Sequence, residues 1–157
     1  MSIKLEAVTL LTEGQKDMLF FIYQREKVAR DVYDTLSKIY KDENTFALMK
    51  FAEQRHLNCT RELCDLYGVE TSMINEDSVG VFESPVLQTL YDECAVKGSH
   101  SLMDAFEVGE FLESTDIEDL EQASVGMPSD VVDVYNRLKQ RNISYLGVFK
   151  TAISKAA

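Results

Sequence analysis

Apolar residues recur at steps of three, four and seven through four long stretches of this chain, a period that calls for amphipathic helices packed on one another. The first stretch, Thr12 to Tyr40, opens with Thr12-x-x-Gln15, which can cap reciprocally, and carries Leu19, Ile22, Ala29, Tyr33, Leu36 and Tyr40 on one stripe. "KDEN" breaks it. A second helix is predicted from about Thr45 to Tyr67, with Met49, Ala52, His56, Cys59, Leu63 and Leu66 aligned and Gly68 placed to end it. Residues 69–84 have no period and read as a long connection, closed by the helix-start pair Ser84-Pro85. A third helical region starts at Pro85, breaks at "KGSHS", and resumes from Ser101 through Leu112 toward Gln122. After "GMPSD" a last helix runs from about Asp130 to Ser154 with Val131, Tyr135, Leu138, Tyr145, Val148 and Ala152. Two prolines and seven glycines leave few places to interrupt these helices, and there is no sustained alternation or Asn-Gly turn to suggest strands. The expected fold is all-α: an antiparallel four-helix bundle with a long crossover connection and one or two extra short helices, a single domain over 12–157 behind an N-terminal tail at 1–11.

The formal net charge of −11, spread along the chain, leaves no basic stripe, so neither nucleic acid nor an anionic membrane is an expected partner. No stretch reaches membrane-spanning length, and "MSIKLEAVTLLTEG" lacks the apolar run and cleavage site of a signal peptide. Cys59, Cys64 and Cys94 leave one cysteine over in any disulfide scheme and form no C-x-x-C pair, which fits a reducing cytoplasm and small buried side chains. Nucleophilic catalysis has little support from two histidines and no Gly-x-Ser-x-Gly elbow, and no glycine-rich phosphate cradle is present.

Carboxylates within the stripes carry the chemical signal. Glu26 follows Ile22 by four and Leu19 by seven and precedes Ala29 by three and Tyr33 by seven, so it falls on the buried face; a surface pair with Arg30 is the competing account, and Lys27, Arg30 and Asp31 are expected to pair outward. Glu53 lies four from Met49, four from Leu57 and three from His56, bordering the second stripe, with a solvated glutamate near Lys50 as the alternative. Glu113 and Asp116 share a face of the third region with Phe106, Gly109 and Leu120, unless they form an exposed acidic helix end. Ionised carboxylates buried without partners are heavily penalised, and a divalent cation is the natural compensation where inward lysines and arginines are few. Three helices each bringing an acid to one core, with Glu-x-x-His on one of them, is the arrangement from which di-iron and di-manganese carboxylate sites are built.

The strings "REKVARDVY", "AEQRH", "GVFESPVLQTLYDE", "KGSHSL", "VGEFLESTDIEDLEQA" and "VYNRL", in that order, resemble the ferritin-like superfamily. They are more closely similar to a rubrerythrin-related family known only as a domain of unknown function (DUF2202-like). The resemblance covers about Thr12 to Phe149. It implies a metal pair, iron or else manganese or zinc, held by Glu26, Glu53, His56 and Glu113, with Asp116 as an addition, and activity in iron oxidation or peroxide reduction. The fourth helix departs from the family pattern: Tyr145 stands where a histidine would be expected, and Asn142, three before it, offers an amide. No four-cysteine rubredoxin-type segment is present, so a peroxide reductase of this kind would need an external electron donor. His100 lies in the "GSHS" break, away from these residues. A metal-dependent oxidoreductase using oxygen or peroxide is therefore the expected function. The alternative is a non-catalytic module with a degenerate metal site, acting in dimerisation or partner binding. A homodimer or larger homo-oligomer is the expected assembly, and a metal-storing cage is a weaker variant of it.

Overall fold

The computed structural model describes residues 10–157, so most of the tail expected at 1–11 lies outside the described residues. Within them the chain is all-helical: α1 (Glu13–Ile39), α2 (Thr45–Leu66), α3 (Pro85–Gly98), α4 (Leu102–Ser124) and α5 (Ser129–Ala156). The end signals act as the local chemistry requires. The Thr12 hydroxyl accepts from the Gln15 amide while the Gln15 side chain accepts from the Thr12 amide, completing the capping box. Gly68 turns with φ 69°, the left-handed conformation that lets the Val69 N–H return to the Cys64 carbonyl at 2.8 Å. Ser84 caps α3, Pro85 occupies its first turn, and Ser101 restarts the chain as α4 by accepting from the Asp104 amide. The break at "KGSHS" thus separates a short helix of 14 residues from a long one of 23.

The four long helices pair as α1 with α2 and α4 with α5, α1 also packing on α3 and α4, while α2 and α5 touch least. Their apolar faces form two cores at different heights. One contains Val28, Val32, Leu36, Phe46, Met49, Ala105, Phe106, Leu112 and Phe149; the other contains Leu19, Ile22, Leu57, Leu63, Leu120, Val131, Tyr135 and Leu138. On every long helix the change from one core to the other happens over a few residues, and those residues are polar: Glu26 on α1, Glu53 and His56 on α2, Glu113 and Asp116 on α4, Asn142 on α5. A polar layer lies between two dry plugs. Gly109 sets the width of one plug, since a Cβ there would come within 2.3 Å of the Phe149 ring, which stacks on Tyr33.

One expectation fails. Lys27, Arg30 and Asp31 do pair, but not in solvent: Lys27 and Asp31 are fully buried and Arg30 nearly so. Every residue from 22 to 34 is buried, because the aperiodic connection at 67–84 crosses the outer face of α1. The Lys27 ammonium donates to Asp31 Oδ2 at 2.7 Å and to the carbonyls of Ser78 and Val81, and lies over the Phe82 ring. Arg30 donates to Asp31 Oδ1, Gln54 and the Glu76 carbonyl, leaving no pair with Glu26. Asp31 also accepts from the Gly80 amide, and the Glu76 carboxylate is gripped by Arg61 and Tyr23. Two apolar positions shift as well: Leu66 and Val148 are about half exposed, and Phe149 rather than Val148 fills the core.

Candidate metal centre

The polar layer is built from four helices at matching height. Glu26, Glu53, His56, Glu113 and Asn142 are completely buried and Asp116 is 1% exposed, so the accounts that placed Glu26, Glu53, Glu113 and Asp116 in solvent do not hold. Glu53 and His56, three apart on α2, present their tips side by side, with His56 Nδ1 at 3.4 Å from Glu53 Oε2 and 3.5 Å from Glu26 Oε2. One ligand atom from each of these three residues lies within 4.8 Å of the others. The contacts lack hydrogen-bond alignment: both oxygens of Glu26, both of Glu53 and both nitrogens of His56 have no hydrogen-bond partner.

The flanking residues are half satisfied. Tyr33 donates to Glu113 Oε2 at 2.6 Å and leaves Oε1 free, while Asn142 donates to Asp116 Oδ2 at 2.7 Å and leaves Oδ1 free. Tyr145, half-buried on α5, puts its ring 5.9 Å from that of His56. His100 is exposed in the turn before α4, in a different part of the fold. Tyr33 and Arg25 complete the layer and were not distinguished as site residues by sequence reasoning. The stripe contained a signal for each: Tyr33 lies seven after Glu26 on the same face, and Arg25 lies three after Ile22 and four before Ala29.

Electrostatics follow from burial. Loss of solvent, then the charge of Glu53, push the Glu26 carboxyl upward, with His56 opposing. Burial and Glu53 raise Glu113 well above the ordinary range, and burial and Glu26 do the same to Asp116, against the pull of Arg25. For His56 burial disfavours the imidazolium, but Glu53 and Glu26 outweigh it and raise the ring to about 12. In the absence of a cation the layer therefore keeps protons that the unfolded chain would release.

The sign of the consequence is definite. A group whose folded pKa is raised gives stability that is complete below its unfolded value and is lost as pH climbs through the folded one, and Glu26, Glu113, Asp116 and His56 all shift that way. Thermal melts of metal-free protein should show Tm falling from about pH 5 to about pH 8, while saturating Mn²⁺ should reverse the slope because ligation requires deprotonated carboxylates and neutral imidazole. A metal-free Tm that rises across that interval would contradict the layer's proton content.

The donor set suits a divalent cation. Two carboxylates and an imidazole with all lone pairs available, and two further carboxylates each offering one free oxygen, match the mixed O/N ligation of iron, manganese and zinc.

Comparisons with known proteins agree with the architecture. The family model "Uncharacterized protein domain (DUF2202)" matches residues 15–156. The uncharacterized protein MJ0754 of Methanocaldococcus jannaschii is 33% identical over 140 residues, covering 88% of this chain and 75% of its own. The crystal structure of the hypothetical protein MJ0754 from Methanococcus jannaschii matches with a TM-score of 0.90 at 30% identity, over 95% of this chain and 85% of that one.

Proposed function

The chain belongs to the DUF2202 family, and we propose that it is a ferritin-like, metal-binding carboxylate protein acting as a non-haem iron oxidoreductase, with manganese as the alternative ion. The reaction type is a ferroxidase or peroxidase, passing electrons to oxygen or peroxide. The observation that carries this reading is the meeting of three ligand atoms, one each from Glu26, Glu53 and His56, on side chains whose six donor atoms have no hydrogen-bond partner, in a layer sealed above and below by apolar side chains. An interior that paired almost every other buried charge is expected to pair these too, and a cation is the partner that their geometry accommodates.

Glu26, Glu53 and His56 would hold the ion, and Glu113 and Asp116 are the residues left for the second member of the pair that the family resemblance implies. When bound, iron or manganese would supply one-electron redox capacity and Lewis acidity. The protein supplies the rest. Tyr33 fixes one oxygen of Glu113 and Asn142 one oxygen of Asp116, so each carboxylate is held in place with its other oxygen free. The two apolar plugs exclude bulk water and strengthen every charge interaction between them. Reducing equivalents would come from an external donor, because the chain has three cysteines and no four-cysteine module.

A second reading is favoured by α5, which brings Asn142 and Tyr145 to the layer but no carboxylate or imidazole: a non-catalytic module with a degenerate site, acting in dimerisation or partner binding. Metal analysis of protein purified without chelator separates the two. Stoichiometric iron or manganese, with iron-dependent consumption of oxygen or peroxide, is expected; metal without turnover would favour the degenerate module, and no metal at all would reject the oxidoreductase.

A further inference from the structure

Arg25 is a permanent cation in the middle of the bundle, 1% exposed, and it is not among the donors that would hold a metal ion. Two of its nitrogens are fixed against the stretch of α4 from Leu112 to Asp119. Nη2 donates to the Leu112 carbonyl and to the Thr115 hydroxyl, both at 2.9 Å, and Nε faces Asp119 at 3.4 Å. That stretch carries Glu113 and Asp116, the carboxylates a second ion would have to use. Arg25 Nη1 has no partner, and neither has Asp116 Oδ1. Burial disfavours the guanidinium charge, but Asp116, Glu26, Asp119 and Glu113, in that order of strength, favour it, and the charged form wins.

We infer that Arg25 takes the electrostatic place of a second metal ion, so that the layer holds one divalent ion on Glu26, Glu53 and His56 rather than a pair. The inference rests on the metal-binding reading above and specifies its stoichiometry. Arg25 stands as a fixed positive charge against the stretch of α4 that carries Glu113 and Asp116. A second divalent ion on those carboxylates would lie beside that cation, and repulsion between like charges is strong in a layer that solvent does not reach. The donors point the same way: Glu113 and Asp116 have each given one oxygen to a neutral hydrogen-bond donor, and α5 supplies an amide and a phenol where another ligand would be needed. The Arg25 guanidinium keeps its charge whatever binds beside it.

Titration of metal-free protein with Mn²⁺ tests the inference, using calorimetry to count ions and electron paramagnetic resonance to see whether they are coupled. The wild type should bind one equivalent with the six-line signal of an isolated ion. Arg25→Gln should bind two with a coupled-pair spectrum, and Arg25→Lys, which keeps the charge, should bind one. Two coupled ions in the wild type would overturn the inference and leave the metal-binding reading standing, whereas no binding would overturn both. A folded Arg25→Gln that still binds one ion would remove Arg25 from its role. If Arg25→Gln does not fold, the wild type and Arg25→Lys decide, a coupled signal in either being the adverse result.

Discussion

Asp31→Asn should destabilise the protein by about 3–5 kcal/mol, the range for removing one partner of a buried ion pair, and that is a large share of the roughly 5–15 kcal/mol that holds a domain of this size together. The carboxylate is fully buried and serves three donors: the Lys27 ammonium, the Arg30 guanidinium and the Gly80 amide. An amide of the same shape retains one acceptor and no charge, so two cations are left facing an interior that can no longer neutralise them. The damage should be local before it is global. Lys27 and Arg30 hold the connection through the carbonyls of Glu76, Ser78 and Val81, and without their counter-charge the segment over α1 should open first. Limited proteolysis should cut within 69–84 of Asp31→Asn under conditions where the wild type is resistant, and chemical denaturation should give the loss in free energy. The double variant Lys27→Met with Asp31→Asn should recover part of it, because the fully buried cation goes with its counter-charge and only Arg30, which is 8% exposed, is left without one. An Asp31→Asn protein within about 1 kcal/mol of the wild type would mean that solvent reaches this cluster.

The same cluster shows where sequence reasoning stopped. Glu26, Glu53, Glu113 and Asp116 could be placed inside because each lies three, four or seven residues from apolar neighbours on its own helix, and the helical period alone carries that information. Burial of Lys27, Arg30 and Asp31 depends on what lies over the other face of α1. That cover is an irregular segment whose path is set by hydrogen bonds to its Ser78 and Val81 carbonyls and from its Gly80 amide rather than by any pattern of its residues. The crossing itself was legible from the length and lack of period of 69–84, but not the helix it would cover. Arg25 was passed over for a related reason. An arginine on a buried face contradicts the binary pattern even where its spacing fits the stripe, and the α4 carbonyl and hydroxyl that accept its hydrogen bonds resolve the conflict. Val148 and Phe149 show the ordinary limit of the method, since adjacent positions differ by about 100° around a helix and the stripe does not decide which of them is inside.

Replacing Glu53 with glutamine should abolish the thermal stabilisation that metal gives while leaving the metal-free protein as stable as before, or more so. In the wild type an ion bound only by the folded state at a free concentration about a hundredfold above its Kd contributes about 2.7 kcal/mol. For a chain of this length that corresponds to a rise in Tm of roughly 5–11 °C, reversed by chelator. Glu53 is the choice because its two oxygens are both unpartnered and it stands against His56 and Glu26, so one isosteric change removes a ligand from the centre of the cluster without opening a cavity. The loss of charge also relieves Glu26 and Glu113, whose carboxyls it pushes upward, and this offsets the support that the His56 imidazolium loses in the metal-free form. Glu107→Gln, at a half-exposed carboxylate paired with Lys97, is the control and should keep the full shift. Equal shifts in the Glu53 and Glu107 variants would locate metal binding on the acidic surface instead of in the bundle. A wild type whose Tm ignores both Mn²⁺ and chelator would leave the six free donor atoms of Glu26, Glu53 and His56 to be satisfied by retained protons and water.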